Sequence, residues 1–348
     1  MTKKYLLYAV MDYSFAILRP LQAAIRARGD ECAWFLADQA AESGYLHADE
    51  RRLKTVNEVK PWAADATFVP GNTVPDFFPG YKVAVFHGFN ARKRTRGKLD
   101  SHFTIRGCFD LYCTQGPSTT QVFEQLAKAH GYFRVQETGW PKVDPLFGKS
   151  LSNNQTGCLT ILLTSTFSRR LSCAPHLLDE WSELIHRRPE WKFQTQFHPK
   201  MPAETIHAYK NIKASNYEFI ETDDMNPYLS SADIMVSDTS SILQEFLLLE
   251  KPVITYQTRF PEPHLINIMS PTELEKAILE ANSKPSELIE NIHKYIQKLH
   301  PYKDGHSSSR VIDATEWFIR EGNIGLKKKP INLIRKLKDR KKLKYWKI

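Results

Sequence analysis

No run of apolar residues in the sequence is long enough to cross a membrane. The longest, such as Tyr5 to Val10 and Leu159 to Leu163, fall far short of the roughly 20 residues that a spanning helix needs. The five cysteines (32, 108, 113, 158 and 173) are odd in number and never spaced C-x-x-C. This speaks against a disulfide framework or a structural zinc site and for reduced thiols. No P-loop, G-x-G-x-x-G or G-x-S-x-G occurs. A strict D-x-D is missing too; the nearest approach is Glu221-Thr222-Asp223, with Asp224 beside it. A metal-dependent transferase is expected to carry such paired carboxylates at a strand end, so no metal is expected here. Lys3 and Lys4 before Tyr5 faintly resemble a secretory leader, but Met11-Asp12-Tyr13 interrupts the apolar stretch and no cleavage site follows. The stretch reads as a first strand, in a chain expected in the cytoplasm.

What the sequence has in excess is positive charge, +9 overall, and it is confined to one end. Residues 323–348 hold eleven Lys and Arg against one acid, Asp339, a surplus of ten that leaves residues 1–322 with a net charge of −1. A basic field at one terminus fits docking to an anionic surface rather than a groove shaped for a duplex, so no nucleic-acid partner is expected.

Within the 348 residues, short apolar runs rich in Val, Ile, Leu and Phe alternate with helical patterns. Strands are expected from 5–10 through 252–256, and helices from 15–28 through 308–320. This alternation implies crossover units and mainly parallel sheets, in an α/β chain of two domains. The small, polar stretch 147–157 is the best linker. It divides an N-terminal domain (1–150) from a C-terminal one (151–322), followed by the basic tail (323–348). Residues 38–62 are charged and poorly periodic, and the sequence assigns them no role.

Three strand ends can carry chemistry. Lys82 to Gly88 reads as a strand delivering His87 and Gly88 at its carboxyl end, where ligands sit in open α/β sheets. The imidazole can serve as a base near neutral pH, and Gly88 admits close approach to the backbone. A lone histidine after a strand is more often structural. Arg92, Lys93 and Arg94 follow in a cationic stretch that is either a solvated loop or a contact for a phosphate-rich acceptor. A second strand, from Lys192, ends in His198-Pro199-Lys200; proline stops the strand, and His198 and Lys200 can both donate to phosphate oxygens. The third strand runs into Ser237-Asp238-Thr239-Ser240-Ser241 and opens a helix that carries Glu245. One hydroxyl suffices for a cap, so consecutive hydroxyls with free N–H groups read as a phosphate site. Glu245 either hydrogen-bonds a ribose or covers the helix face.

The order of these motifs resembles the CDP-glycerol glycerophosphotransferase family of teichoic-acid and capsule biosynthesis. The resemblance rests on H-G at 87–88, G-W-P-K-V-D at 139–144, H-P at 198–199, S-D-T-S-S at 237–241 and D-G-H-S-S-S-R at 304–310. It implies a GT-B fold: two Rossmann-like domains facing across a cleft, the donor held mainly by the second. It implies that His87 is the base that deprotonates the acceptor hydroxyl, and that His198, Ser240 and Ser241 contact the donor pyrophosphate. Lys200, Ser237, Asp238, Thr239 and Glu245 go with that donor site. Pro141, Lys142, Asp144, Asp304, Ser308 and Arg310 are carried as motif positions without an assigned step. The implied reaction moves glycerol phosphate, or a related polyol phosphate, from a CDP-activated donor that is a substrate rather than a cofactor. The acceptor is a glycan or a lipid-linked molecule. The family usually continues H-G with Thr-Pro-Leu-Lys. Here Phe89-Asn-Ala-Arg-Lys-Arg stands instead, so the resemblance does not carry the acceptor over.

The main alternative is a GT-B transferase of CMP-activated sugars, of sialic acid or Kdo type, which usually carries an acidic base in the first domain. A sugar-nucleotide 2-epimerase shares the architecture, and a nucleic-acid- or lipid-binding protein would use the tail alone. In the tail, Ile331, Ile334 and Leu337, Leu333 and Leu337, and Leu343 and Trp346 recur at helical spacing among cations. The pattern predicts a basic amphipathic helix held to the inner face of the membrane by Lys327, Lys328, Lys329, Arg335, Lys336 and Trp346.

Overall fold

The computed structural model describes residues 2–42, 44–89, 101–148, 157–198, 200–222, 224–258 and 260–346. Arg92, Lys93 and Arg94, with Pro199, Asp223 and most of the 147–157 linker, lie outside them. Two compact units emerge. One gathers Met1–Phe89, Arg96–Phe147 and Leu299–Ile348, and the other is built on Gly148–Lys298. The first division falls at the start of the linker. The second does not follow the expected 322/323 boundary: the chain re-enters the first unit at Leu299.

The first unit runs β1 (Lys4–Ala9), α1 (Tyr13–Ala27), β2 (Glu31–Leu36), α2 (Gln39–Glu42), α3 (Val56–Trp62), β3 (Ala66–Val69), β4 (Tyr81–Ala84), β5 (Leu111–Thr114), α4 (Pro117–His130) and β6 (Arg134–Glu137). The sheet order is β2-β1-β3-β4-β5-β6, every pairing parallel. Strands such as β1, β3 and β5 are buried almost without alternation because helices cover both faces. The stretch 38–62 finds its role here. Trp34 on the edge strand β2 exchanges backbone bonds with Arg51 and Leu53 (2.8 Å each). Leu53, Val56, Val59 and Trp62 enter the core. The segment shields an otherwise open sheet edge, with helices too short for a sequence window to register.

The second unit runs β7 (Thr160–Ser165), α5 (Ala174–Arg187), β8 (Lys192–Phe197), α6 (Ala203–Lys210), β9 (Tyr217–Phe219), α7 (Asn226–Ser231), β10 (Ile234–Ser237), α8 (Ile242–Leu247), β11 (Val253–Tyr256), β12 (Ile266–Ile268), α9 (Leu274–Asn282) and α10 (Ser286–Leu299). Its parallel order, β12-β11-β10-β7-β8-β9, is that of the dinucleotide-binding Rossmann sheet. The three-residue edge strand β12 escaped the sequence reading.

The remaining helices are α11 (Ser307–Glu321) and α12 (Leu333–Lys342). The first is held to the opening elements of unit one by Arg28–Asp313 (2.7 Å) and Lys3–Glu316 (2.9 Å). The tail helix corrects the expectation about its cations. Lys329 pairs with Asp110 (2.6 Å), Lys336 with Asp76 (3.3 Å), and Arg335 donates to the carbonyl of Arg106. These three cations are thus turned toward the protein, where acids and a carbonyl of unit one meet them, while Lys327, Lys328, Lys338, Lys341 and Lys344 stay exposed. Tyr345, the neighbour of Trp346, is buried against Phe77 at 5.0 Å. The apolar side chains point out: Ile331 is 74% exposed, Leu333 61%, Ile334 73% and Trp346 60%. Among the described residues no helix is long and apolar enough to cross a membrane.

Candidate functional site

His87 follows β4, but the fold brings it to the sheet's switch point, between β1 and β3, where ligands collect outside the strand ends. Its Nδ1 donates to the carbonyl of Pro70, just after β3, at 3.3 Å. Its ring lies 5.6 Å from that of Tyr13, the first residue of α1. With the proton held on Nδ1, Nε2 keeps its lone pair, the form a general base needs. The side chain reaches solvent, yet partial burial draws its pKa below the ordinary imidazole value. The Pro70 bond opposes that shift and the charge of Arg106 adds to it. The neutral form therefore prevails at neutral pH. A Cβ at Gly88 would meet nothing within 4 Å, so the packing does not demand glycine and the space beside the backbone is open.

The chain turns into His87 through Phe86, held at φ 58°, a conformation costly for a bulky residue and found where the surroundings enforce it. The indole Nε1 of the buried Trp140 donates to the Phe86 carbonyl at 3.2 Å. This residue was not among the expected site positions; its place inside G-W-P-K-V-D was the available signal. The rest of that motif has a structural task. Asp144 accepts from the backbone N–H groups of Ser307 (2.8 Å) and Ser308 (2.7 Å), capping α11 from 163 and 164 positions away. Arg310 grips Asp304 with two bonds, 2.7 and 3.1 Å, and donates to the Thr138 carbonyl at 2.8 Å. That guanidinium bond holds the Asp304 carboxyl down at about 2. Gly139 sits at φ 80°, and a Cβ there would lie 2.4 Å from the Ser307 hydroxyl. Pro141 opens the 3₁₀ turn Pro141–Phe147, and the Lys142 ammonium lies 5.3 Å from the Trp140 ring. The two motifs form a clasp that carries Trp140 and, through it, the His87 turn.

In the second unit the switch point lies between β7 and β10. Ser237 and Asp238, expected as donor contacts, are 0% and 2% exposed. Ser237 bonds the Thr164 hydroxyl at 2.9 Å. Asp238 accepts from the Ser165 hydroxyl (2.6 Å), Thr166 N (2.9 Å) and Cys173 N (3.1 Å). Burial still lifts its carboxyl above the ordinary range. These two residues brace the end of β7 and the loop after it. The hydroxyls beyond them are differently placed. The helix begins only at Ile242, and no side-chain bond caps it. Thr239 Oγ1 is buried with no partner among the described residues, Ser240 is half-buried and Ser241 exposed. Glu245 is buried within α8, so it is packed rather than presented.

His198, exposed at the end of β8, accepts the Lys200 N–H on Nδ1 at 3.0 Å. The acceptor role of Nδ1 leaves the proton of a neutral ring on Nε2, a donor suited to a phosphate oxygen. Phe167, from the loop after β7, packs against that ring at 4.7 Å, with the Lys200 ammonium 6.0 Å from the same phenyl. His198, Lys200 and Phe167 thus form one cluster. Thr239 to Ser241 open the loop after β10, beside the β7 loop that Asp238 braces. The arrangement offers an N–H, an ammonium and hydroxyls at one sheet edge, the donor set for a nucleotide's phosphates.

Two parallel Rossmann-like sheets in one chain, each ending in a histidine beside its switch point, define the GT-B-like class. The sequence model described as CDP-Glycerol:Poly(glycerophosphate) glycerophosphotransferase matches residues 91–262, just under half of the chain, which is similar to that family over this stretch. The match takes in His198 and the 237–241 block and leaves His87 and 304–310 outside. No curated protein matches the chain in sequence. A structure of the wall teichoic acid polymerase TagF, as a variant with CDPG, superposes with a TM-score of 0.66 at 12% identity, covering 92% of this chain and 90% of that one. A putative UDP-N-acetylglucosamine 2-epimerase from Listeria monocytogenes gives 0.63 at 15% identity, over 92% and 98%. The Neisseria meningitidis UDP-GlcNAc 2-epimerase bound to UDP-GlcNAc gives 0.57 at 15%, over 90% and 100%. At such identities the likeness speaks for the fold.

Proposed function

We propose that the chain transfers glycerol phosphate, or a related polyol phosphate, from a CDP-activated donor to a glycan or lipid-linked acceptor at the inner face of a membrane. The observation that carries this reading is the family match across His198 and Ser237–Ser241, joined to the phosphate-type donor groups those residues set at one sheet edge. In the proposed reaction His87 Nε2 takes the acceptor hydroxyl's proton as that oxygen attacks the β-phosphorus. The bond to the departing CMP breaks while His198, Lys200 and the Thr239–Ser241 hydroxyls stabilise the charge that builds on it. No metal is assigned a part. Exposed Ile331, Leu333, Ile334, Leu337 and Trp346, with exposed Lys338, Lys341 and Lys344 among them, support a peripheral seat on an anionic bilayer.

Competition among donors tests the reading. The purified chain, given membrane extract and a panel of CDP-glycerol, other CDP-polyols and CMP-sugars, is expected to release CMP from a CDP-polyol, with mass spectrometry finding the polyol phosphate on product. Turnover of CMP-sugars alone would overturn it in favour of the sugar transferase. Activity abolished by EDTA and restored by magnesium or manganese would overturn the metal-free mechanism.

A further inference from the structure

At the amino ends of the first sheet's strands, away from His87, the tail closes over a cavity of about 300 Å³. Lys82, the second residue of β4, lines it together with Gly107 and Cys108 from the loop before β5, Asp76, and Lys329 to Ile331, Arg335 and Lys336 of the tail. Four cations border it against one carboxylate. Lys82 is 8% exposed and gives two of its three ammonium protons to the carbonyls of Phe78 (2.7 Å) and Gly80 (2.5 Å). Arg335 uses one guanidinium nitrogen on the Arg106 carbonyl, and its buried Nε has no partner among the described residues. The enclosure is built tightly. Gly107 sits at φ 68°, and a Cβ there would lie 2.5 Å from Pro330 and 2.8 Å from Asn332, so glycine is what lets the tail lie on this loop. Burial, with the Lys329 charge nearby, brings the Lys82 ammonium down to about 8 even though Asp110 and Asp76 favour its charge; an arriving anion would relieve that crowding.

We infer that this cavity is a phosphate-binding site, distinct from the donor site of the second unit, in which Arg335, Lys336 and Lys82 hold a phosphate mono- or diester. Its source is the headgroup of an anionic phospholipid or a soluble phosphate. Ile331 lines the cavity while 74% exposed, and Ile334 projects from the same helix, which favours the lipid. That choice of source rests on the membrane reading above; phosphate binding itself does not.

The test uses the full chain with inorganic phosphate and glycerol 3-phosphate, titrated calorimetrically at low ionic strength in saturating CDP so that the nucleotide site is filled. Wild type is expected to bind, and Arg335→Gln and Lys336→Gln, checked for folding by thermal unfolding, to bind at least ten-fold more weakly. Loss of all phosphate binding on adding CDP would overturn the inference, as would unchanged affinity in both variants. Flotation with phosphatidylglycerol and phosphatidylcholine vesicles separates the sources. Preference for phosphatidylglycerol that weakens in Arg335→Gln and yields to free phosphate identifies the lipid. Phosphate binding without that preference identifies the soluble ligand. Donor turnover on a soluble acceptor, expected unchanged in these variants, keeps a failure here apart from a failure of the transferase reading.

Discussion

His87 and His198 stand in equivalent places, each just past a parallel strand, and hold their protons on opposite nitrogens. His87 donates from Nδ1 to the Pro70 carbonyl, while His198 accepts the Lys200 N–H at Nδ1. The first is left with a lone pair at Nε2 and the second with an N–H. Identical side chains on similar sheets thus become an acceptor and a donor, according to the backbone group that each Nδ1 meets. The lesson is that the loop after the strand, rather than the histidine, assigns the role.

Replacing each histidine breaks this comparison most severely. His87→Ala is expected to slow transfer by roughly 10²–10⁴-fold, the range for a lost general base, with calorimetric CDP affinity unchanged. His198→Ala is expected to weaken CDP binding by about 1.5–3 kcal/mol, the worth of a charge-assisted hydrogen bond. A His87→Ala variant that binds CDP poorly but turns over normally would reverse the assignment.

Acidity sharpens it. Because its surroundings lower the His87 pKa, the base form persists to lower pH than in a free imidazole. The acid limb of kcat/KM is expected below the ordinary value of about 6.5, and a limb above it would exclude His87 as the titrating base. Trp140→Phe keeps most of the ring but removes the bond to the Phe86 carbonyl. A loss of about 1 kcal/mol is expected, read as a several-fold fall in kcat with KM and CDP affinity nearly unchanged. An equal loss in CDP affinity would show general unfolding instead.

The smallest effect concerns the clasp. Asp304 is depressed to about 2 by Arg310, so its contribution to stability is complete above the unfolded carboxyl's pKa of about 4 and is lost as pH falls toward 2. Asp304→Asn is expected to flatten the pH dependence of thermal unfolding in that window alone. Since Asp304 is half exposed, solvent screening keeps the change modest.

The alternating strands and helices, the parallel sheets and the three strand ends with their histidines and hydroxyls were legible in the sequence. These features are local: apolar periodicity and a residue's position after a strand depend on neighbours along the chain. The sequence also placed cations and apolar residues correctly in the tail. Only the tertiary structure decided which of them face the protein, because the partners Asp76 and Asp110 lie more than 200 positions away. The same holds for Ser237 and Asp238, which the sequence grouped with their neighbours as ligand contacts. The end of β7, the strand paired with β10, claims both through Thr164, Ser165 and Thr166 and leaves Thr239, Ser240 and Ser241 beyond it. Asp144 and Ser307, Trp140 and Phe86, Gly107 and Pro330 likewise meet only in the fold. A hydrogen bond or a close approach between distant segments leaves no period in the sequence, so chemistry of residue type was legible and the choice between holding the fold and meeting a ligand was not.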